Sequence, residues 1–294
     1  MKKILLIGKT GFVGRNLFEY LSNNYDIVAP SSKELDALDW ESVKSLLRTQ
    51  SFDIVINAID RRIDRQVANS ESLYLHERLR TFMNLAHCSD LYGKMLYFGT
   101  GAEYARELPI VSITEDEFDR KIPNDTYGFL MNTLSKNTLN SKNIYNFRLF
   151  GIFGKYEDYT ARFISNSICK ALFDYPITIR QNAVFDYLYI DDLCRMVEFF
   201  IHNDMKYHCY NATSGMKYEL LQLANMINKA VGKELPILVA KDGLNKEYTA
   251  SNKRILEEIP ITIGDMQENI IDLIEYYQDN ITKLRKENLL YNSI

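Results

Sequence analysis

The sequence predicts an α/β protein built around a doubly wound parallel sheet. Short apolar runs begin at Ile4, Phe52 and Ile144, and such runs are typical of strands that are covered on both faces. Segments with helical apolar spacing separate these runs. The first run also leads directly into a glycine-rich turn and then a helix. Because strands and helices alternate, we expect parallel strands joined by right-handed helical crossovers.

The glycine turn lies in residues 2–14, which read KKILLIGKTGFVG. Gly8 can form a tight turn, Gly11 leaves room for a pyrophosphate against bare backbone, and Gly14 lets the helix pack close to the strand. The free N–H groups and positive dipole end of that helix attract phosphate. The predicted dinucleotide-binding residues are Gly8, Thr10, Gly11, Phe12, Val13 and Gly14. The alternative is an ordinary turn between a strand and a helix.

Further elements follow from apolar periodicity and from start and stop signals. The predicted helices cover 12–21, 40–48, 70–91, 159–172, 191–202, 218–231 and 265–288. The predicted strands cover 4–7, 26–29, 52–58, 94–98, 144–149, 177–179, 187–190 and 237–239. Asp39 stands where the N-cap of the second helix should be. We predict a dinucleotide-binding domain over 1–155 with returning segments at about 181–212, and a smaller C-terminal α/β lobe mainly over 156–294.

Composition and charge narrow the classes of protein. The chain has 294 residues, of which 46% are hydrophobic and 25% charged, and these fractions are those of a globular protein. The net charge is −4 with no basic block, so neither nucleic acid nor an anionic membrane is an expected partner. The apolar run at the N-terminus is too short for a signal peptide, and no stretch is long enough to span a bilayer. We therefore expect a cytoplasmic protein.

Metal-binding patterns are missing from the sequence. Cys88, Cys169, Cys194 and Cys209 are far apart, form no C-x-x-C pair and lie in apolar or helical segments. Buried, reduced thiols are therefore predicted rather than a metal site or disulfides. The four histidines form no set of metal ligands either, so no metal is predicted.

The segment after the second predicted strand bears on the choice of coenzyme. A site for NAD usually has an acidic residue there, whereas this chain has Pro30-Ser31-Ser32-Lys33. Ser31 and Lys33 would suit the 2′-phosphate of NADPH, so NADPH is predicted and NAD is the alternative. Both can also be ordinary loop residues. Asn57 and Ala58 end a predicted strand at the sheet edge where the coenzyme would run, and they join the predicted contacts.

Seven motifs appear in a characteristic order and spacing. They are GKTGFVG at 8–14, KELDALD at 33–39, DIVINA at 53–58, LYFGTGAEY at 96–104, YGFLM at 127–131, RLFGIFG at 148–154 and FDYLYIDDL at 185–193. Together they resemble the extended short-chain dehydrogenase/reductase family, which has a Rossmann fold and includes nucleotide-sugar epimerases, dehydratases and ketoreductases. The first two motifs look most like the branch that reduces 4-keto-6-deoxy sugars. Asp39, at the end of the second motif, is included among the coenzyme contacts.

The resemblance assigns catalytic roles to two residues. Thr100 matches the family hydroxyl that binds the sugar carbonyl oxygen, and Tyr127 matches the tyrosine that gives or takes the proton while hydride moves. Gly101 beside Thr100 is a predicted substrate contact. The alternatives are that Thr100 only satisfies backbone at a strand end and that Tyr127 only packs at a helix start.

Met131 departs from the family pattern, which has a lysine one helical turn after the tyrosine. That lysine binds the nicotinamide ribose and makes the tyrosine more acidic; Met131 stands among the predicted coenzyme contacts but supplies no charge. Lys136 cannot replace it, because nine residues along a helix place it near the opposite face. An unassisted tyrosine has a pKa near 10, so only about one in a thousand is ionised at pH 7. This favours a downhill reduction over an epimerase that must begin with an oxidation.

The resemblance also implies a substrate and a partner. Arg162, Phe163 and Arg180 are candidates for the nucleotide diphosphate, because guanidinium groups pair with phosphate. We predict an NAD(P)H-dependent reductase of a nucleotide-linked 4-keto deoxy sugar in surface-polysaccharide sugar biosynthesis. The alternatives are an NAD-dependent epimerase or dehydrogenase that holds its coenzyme tightly, or a catalytically impaired homologue. The family also implies a homodimer through the helices at about 70–91 and 127–141.

Overall fold

The computed structural model describes residues 1–59 and 70–289 and confirms the predicted α/β class. The strands are β1 (Lys3–Ile7), β2 (Asp26–Val28), β3 (Phe52–Asn57), β4 (Tyr92–Thr100), β5 (Ile110–Ile113), β6 (Ile144–Leu149), β7 (Gly151–Phe153), β8 (Ile177–Asn182), β9 (Val184–Phe185), β10 (Tyr187–Tyr189), β11 (Cys209–Ala212), β12 (Tyr218–Glu219), β13 (Ile237–Leu244) and β14 (Tyr248–Ala250). The α-helices are α1 (Phe12–Leu21), α2 (Trp40–Thr49), α3 (Ser70–Ala86), α4 (Thr126–Leu139), α5 (Phe163–Leu172), α6 (Ile190–His202), α7 (Leu220–Val231), α8 (Lys253–Glu258) and α9 (Met266–Asp279).

The chain divides into two compact units. The first unit comprises Met1–Leu108, Thr114–Leu149 and Met196–Asn211. The second unit comprises Pro109–Ile113, Phe150–Arg195 and Ala212–Ile294. Each unit therefore contains segments that are distant in the sequence.

The first unit is built on a six-stranded sheet with the order β11-β6-β4-β3-β1-β2. The ladders that join β2, β1, β3, β4 and β6 are all parallel, which confirms the predicted sheet. The register pairs Ile7 with Asn57, Asn57 with Tyr97, and Thr100 with Leu149. Because the strands are parallel, their carboxyl ends lie along one edge. This edge carries the glycine turn, Asn57 and Thr100.

The core of the first unit explains why the apolar runs form strands. Leu5, Val55 and Met95 come from three adjacent strands and have no or almost no exposed surface. They pack in one cluster with Phe82 of α3 and Met131 of α4. Burying an aliphatic side chain of this size contributes roughly 1.5–3 kcal/mol. Helices α3 and α4 are thus held on the sheet by the same apolar layer.

The second unit has several small ladders instead of one large sheet. Strands β12, β9, β14 and β5 form a four-stranded sheet. Strands β8 and β13 form a separate parallel pair that aligns Ile177 with Ile237, and β7 pairs in parallel with β10. Helices α5, α7 and α9 pack together in this unit.

Some predicted boundaries are wrong, for local reasons. The helix predicted over 70–91 ends at Ala86 and is followed by a separate 3₁₀ turn. The helix predicted over 159–172 begins at Phe163, because the Asp158 carboxylate accepts hydrogen bonds from the N–H and hydroxyl of Thr160 and stabilises a turn. The helix predicted over 265–288 ends at Asp279, where the Asn280 amide donates to the carbonyl of the preceding turn. The two-residue to four-residue strands β5, β7, β9, β11, β12 and β14 are too short to show a periodicity.

The four cysteines lie in the interior of the protein. All four cysteines are buried and none of them forms a disulfide bond, which confirms the prediction of buried thiols rather than disulfides. Within residues 1–59 and 70–289, no group of three or more His, Cys, Asp or Glu side chains is arranged to hold a metal ion. No helix in the described parts of the chain is long and apolar enough to cross a membrane.

A buried ion pair joins the 3₁₀ turn that follows β4 to strand β6 near the carboxyl end of that strand. Arg148 and Glu103 are 1% and 0% exposed, and the guanidinium Nε donates to the carboxylate Oε2 at 2.6 Å. The same guanidinium donates to the hydroxyls of Tyr104 and Ser135 at 3.0 and 2.7 Å. Its plane also lies over the ring of Phe118, with the guanidinium carbon 4.4 Å from the ring centroid. The charge of Arg148 is therefore matched by a carboxylate and by two hydroxyl oxygens.

Replacing Arg148 with methionine should lower the free energy of unfolding of the protein by about 3–5 kcal/mol, because the Glu103 carboxylate stays buried without its partner. Urea unfolding followed by circular dichroism measures this loss. The double variant Glu103→Gln/Arg148→Met should recover part of it. Arg120→Gln is the matched control, since Arg120 pairs with Glu117 at an exposed position; it should cost at most about 1 kcal/mol. An equal cost for both arginines would contradict the prediction.

Candidate active site

The glycine turn brings the end of β1 against the start of α1. Gly8 has φ +94°, and a Cβ atom there would lie 2.6 Å from the carbonyl carbon of Ala58. A Cβ atom on Gly14 would lie 2.1 Å from the carbonyl oxygen of Gly8. Neither position can therefore carry a side chain without a shift of the backbone. This confirms the tight turn and the close packing that the glycine spacing predicted.

The start of α1 suits an anion. Gly11 is the N-cap and brings no side chain to the helix end, while the first turn contains no acidic residue. The backbone N–H of Gly11 donates to the carbonyl of Gly8 at 3.0 Å, which closes the turn. The positive end of the helix dipole therefore faces no carboxylate of the helix's own first turn, and the turn fits a pyrophosphate. Thr10 is exposed, and Phe12 and Val13 are half-buried beside it.

Asn57 is the last residue of β3 and Ala58 follows it, so both lie beside the end of β1 at the carboxyl edge of the sheet. The N–H of Ala58 donates to the carbonyl of Ile7 at 2.9 Å, and the side-chain oxygen of Asn57 accepts from the N–H of Ile59 at 3.3 Å. These bonds extend the β1–β3 pairing to the turn and fix the backbone beside it.

Ser31 already has an anionic partner. Its N–H and its hydroxyl donate to one carboxylate oxygen of Glu34 at 2.7 and 2.8 Å, and these two bonds, the backbone bond first, lower the pKa of Glu34. Lys33 is exposed. Glu34 was not among the residues predicted from the sequence, although it directly follows Lys33. Asp39 accepts from the N–H of Ser42 at 2.8 Å, which confirms its role as the N-cap of α2.

Thr100 is fixed at the carboxyl end of β4. Its N–H donates to Glu103, and its hydroxyl oxygen accepts from the N–H of Ala102 at 3.3 Å. The Thr100 hydroxyl therefore does satisfy a backbone N–H group at the end of the strand, which is the role given above as the alternative to catalysis. Because the oxygen is the acceptor in that bond, the hydroxyl hydrogen can be donated to another oxygen. Gly101 begins the buried 3₁₀ turn that follows.

Tyr127 lies in the first turn of α4. The N-cap Asp125 accepts from the N–H of Gly128 at 2.9 Å and sets the start of the helix. A Cβ atom on Gly128 would lie 2.9 Å from the carbonyl oxygen of Ala102, so this first turn packs against the turn that follows Thr100. Tyr127 is half-buried, and its ring centroid is 6.2 Å from that of Tyr74 on α3. The hydroxyl of Thr100 and the phenol of Tyr127 are thus carried by two segments in direct contact.

Met131 is fully buried one helical turn after Tyr127. Its sulfur accepts a hydrogen bond from Nε of Arg78 on α3, at 3.2 Å. Lys136 forms an ion pair with Asp119 at 2.8 Å. Arg78 was missed by the sequence analysis, because nothing in the sequence tells how α3 aligns with α4.

The predicted substrate residues belong to the second unit. Arg162 is the exposed N-cap of α5, Phe163 is the half-buried first residue of that helix, and Arg180 is exposed on β8. Nearby, the buried carboxyl of Glu157 accepts a hydrogen bond from the Ser165 hydroxyl. Burial raises the pKa of Glu157 to about 8, against the opposing effects of that hydrogen bond and of the Arg162 charge. Glu157 therefore holds its proton at neutral pH.

Comparison with known proteins identifies the family. A model described as the NAD dependent epimerase/dehydratase family matches residues 4–213. This chain belongs to that family. The match covers β1 through β11 and includes the glycine turn, Thr100 and Tyr127.

Relatives within and around this epimerase/dehydratase family share the fold at low identity. GDP-L-colitose synthase from Yersinia pseudotuberculosis is 24% identical over 255 residues, which are 78% of this chain and 82% of that protein. The crystal structure of a GDP-L-fucose synthetase from Naegleria fowleri bound to NADP has a TM-score of 0.81 at 15% identity and covers 97% of this chain and 95% of its own. The GDP-mannoheptose C4 reductase of Campylobacter jejuni with NADP bound has a TM-score of 0.77 at 18% identity, with 94% and 98% covered.

Proposed function

We propose that this member of the family is an NADPH-dependent reductase of a nucleotide-linked 4-keto sugar. The observation that carries the proposal is the contact between the segments of Thr100 and Tyr127, at the sheet edge that also holds the glycine turn. A hydroxyl donor and a phenol beside a dinucleotide site are the groups that carbonyl reduction needs. The names of the relatives, two of them GDP-sugar synthases and one a GDP-heptose reductase, support the same reaction class.

In this proposal the first unit holds the coenzyme. Gly8, Gly11 and Gly14 give the pyrophosphate access to the backbone N–H groups at the start of α1. Asn57 and Ala58 line the edge beside them, and Met131 would contribute an apolar side chain to the part of the site near Tyr127. When bound, NADPH supplies the hydride that adds to the ketone carbon and leaves as NADP⁺.

The protein's own groups act on the ketone oxygen. Thr100 donates its hydroxyl hydrogen to that oxygen and polarises the carbonyl. Tyr127 donates its phenol proton as the carbon–oxygen double bond becomes a single bond, so the product is a secondary alcohol. Solvent then returns a proton to the phenolate. A protonated tyrosine is the form that this direction requires, and the reduction therefore does not depend on a large phenolate population.

The second unit is proposed to hold the nucleotide sugar. Arg162 and Arg180 present guanidinium groups to solvent, and Phe163 adds an apolar ring; these types suit a diphosphate and a base. The names of the relatives favour guanosine diphosphate as the nucleotide. Such substrates and NADPH are made in the cytoplasm, so this is the location we propose, and cell fractionation tests it.

Tyr127→Phe should lower kcat for reduction of a GDP-linked 4-keto sugar by about 10²–10⁴, because the proton donor is lost, while NADPH still binds. Absorbance of the reduced nicotinamide measures turnover with GDP-, UDP- and dTDP-linked keto sugars. Tyr207→Phe is the control, because Tyr207 is an exposed tyrosine just before β11. Strand β11 is the outermost strand on one side of the sheet, whereas the glycine turn follows β1 near the other side. Coenzyme binding without turnover of any of these sugars by the unaltered protein would contradict the proposal. It would favour the impaired homologue instead.

The alternative, an epimerase or dehydrogenase that retains NAD, is favoured by one observation. The Glu34 carboxylate occupies the Ser31 donors that a 2′-phosphate would use, and its charge opposes that phosphate. Mass spectrometry of coenzyme released from the purified protein separates the two cases. Retained NAD favours the alternative, whereas an empty protein that binds added NADPH favours the reductase.

Glu34→Gln should shift coenzyme preference toward NADPH over NADH by about two- to fivefold, because one exposed charge interaction is removed. Fluorescence titration with both coenzymes measures the ratio. Asp36→Asn is the matched control: Asp36 is an exposed acid of the same segment whose carboxylate accepts from the N–H of Leu38. Equal ratios for the two variants would show that Glu34 does not influence the choice.

We also propose that the protein is a homodimer that pairs through α3 and α4. Both helices expose large apolar side chains, including Leu73 of α3 at 53% and Leu139 of α4 at 47%. Contact between two copies would remove this surface from water. Light scattering after size-exclusion chromatography should give twice the chain mass, and Leu73→Glu or Leu139→Glu should give the single mass. Ile271→Glu, at an exposed position of α9, should remain dimeric. A monomeric unaltered protein would refute the proposal.

A further inference from the structure

A guanidinium from another helix lies against Met131 in the candidate site. Arg78 lies on α3, and its Nε donates to the sulfur of Met131 at 3.2 Å. Met131 is the residue one turn after Tyr127, where the family pattern has its lysine. A guanidinium is charged at every physiological pH. The positive charge of Arg78 thus lies beside Met131, the position at which the family pattern has a lysine.

Arg78 is held at the carboxyl edge of the sheet. Its Nη1 donates to the carbonyl of Ile59, just after β3, at 3.2 Å. Its Nη2 donates to the carbonyl of Phe98, near the end of β4, at 2.6 Å. These two strands are neighbours in the sheet, so the guanidinium bridges their ends. This is the edge along which the coenzyme runs in the proposed function.

Arg78 also reaches the surroundings of Tyr127. Its Nη1 donates to the hydroxyl of Tyr74 at 3.3 Å, and the ring of Tyr74 is 6.2 Å from the ring of Tyr127, centroid to centroid. Tyr74 and Met131 are both buried. The guanidinium therefore contacts two buried residues that pack beside or below the proposed proton donor. Its planar group is oriented by hydrogen bonds from all three of its nitrogens.

We propose that Arg78 takes over the work of the family lysine: it binds the nicotinamide ribose and supplies the positive charge on the Tyr127 side of the site. This inference rests on the proposed coenzyme site. A guanidinium has five N–H donors, and a ribose hydroxyl would replace the acceptor of one of the two longer bonds from Nη1, to the carbonyl of Ile59 at 3.2 Å or to the hydroxyl of Tyr74 at 3.3 Å. A lysine at position 131 would place a second positive charge against Arg78. Met131 is neutral and flexible, so it can pack against the guanidinium without charge repulsion.

The competing explanation is that Arg78 only ties α3 to the sheet. Both explanations predict damage when Arg78 is removed, so the experiment must separate lost coenzyme contact from lost structure. Adenosine 2′,5′-bisphosphate is the adenosine half of NADPH and lacks the nicotinamide ribose. A contact to that ribose affects NADPH alone, whereas a distorted sheet edge affects both ligands.

The test measures the dissociation constants of NADPH and of adenosine 2′,5′-bisphosphate by calorimetry. Arg78→Met should weaken NADPH by about 10- to 100-fold, the range for a hydrogen bond from a charged group, and should change the bisphosphate by no more than about twofold. Arg78→Lys should keep most of the NADPH affinity. Arg80→Met is the matched control on the same helix, since Arg80 is exposed and donates to the carbonyl of Leu38. It should change neither ligand.

A charge-exchange variant gives the sharper outcome. Arg78→Met/Met131→Lys moves the cation to the family position and should regain about tenfold or more of the NADPH affinity lost in Arg78→Met. Met131→Lys alone should give no gain over the unaltered protein, because it adds a cation beside an existing one.

Three results would overturn the inference: equal losses of both ligands in Arg78→Met, no recovery in the charge-exchange variant, or a large gain from Met131→Lys alone. Failure of the proposed function looks different. If the unaltered protein binds NADPH but reduces no keto sugar, the reductase proposal fails, while the binding measurements still decide the role of Arg78. If the unaltered protein binds no NADPH, both proposals fall.

Discussion

The buried pair of Glu103 and Arg148 is the interaction on which the site depends. Each charge loses its water when the chain folds, and an unmatched charge there would cost several kcal/mol. The lost hydration is compensated by the short hydrogen bond within the pair and by hydrogen bonds to residues of β4, β6 and α4. Glu103 also accepts from the N–H of Thr100 and from the amide of Asn146, which in turn accepts from the N–H of Gly99. The carboxyl end of β4 is thus held by hydrogen bonds to the Glu103 carboxylate, which is itself paired with Arg148.

The same network sets the position of α4. The hydroxyl oxygen of Ser135 accepts a hydrogen bond from Arg148, and the amide of Asn132 donates to the carbonyl of Glu103 at 3.1 Å. Both residues lie on α4, downstream of Tyr127. The helix is therefore registered against the turn that follows Thr100 by buried polar contacts, and Gly128 lets its first turn approach. A shift of this helix would break several hydrogen bonds at once, which explains how two residues from separate segments stay together.

Met131 illustrates how a local departure from a family pattern can be compensated elsewhere. Within α4 itself, the buried Met131 supplies no positive charge beside Tyr127, unlike the lysine of the family pattern. In the folded protein, the sulfur borders a guanidinium that two strand-end carbonyls hold in place. Arginine suits this position because its planar group donates in several directions at once. Natural proteins break local rules mainly at functional sites, where another element compensates.

The parallel sheet, the glycine turn and the candidate residues Thr100 and Tyr127 could all be predicted from the amino-acid sequence. Those features are local: buried strands appear as apolar runs, Gly8 has a positive φ, Gly14 is required by its contact with the carbonyl of Gly8, and the spacing of the motifs is read directly from the sequence. Three contacts could not be predicted and are seen only in the folded chain: Glu103 with Arg148, Glu34 with Ser31, and Arg78 with Met131. The partners in the first and last of these contacts lie on different elements, and their meeting depends on the alignment of strands and helices across the core. Glu34 is near Ser31 in sequence, but only the fold of their loop turned its carboxylate onto the Ser31 donors. Periodicity reports which face of an element is buried, and it carries no information about which distant side chain that face will meet.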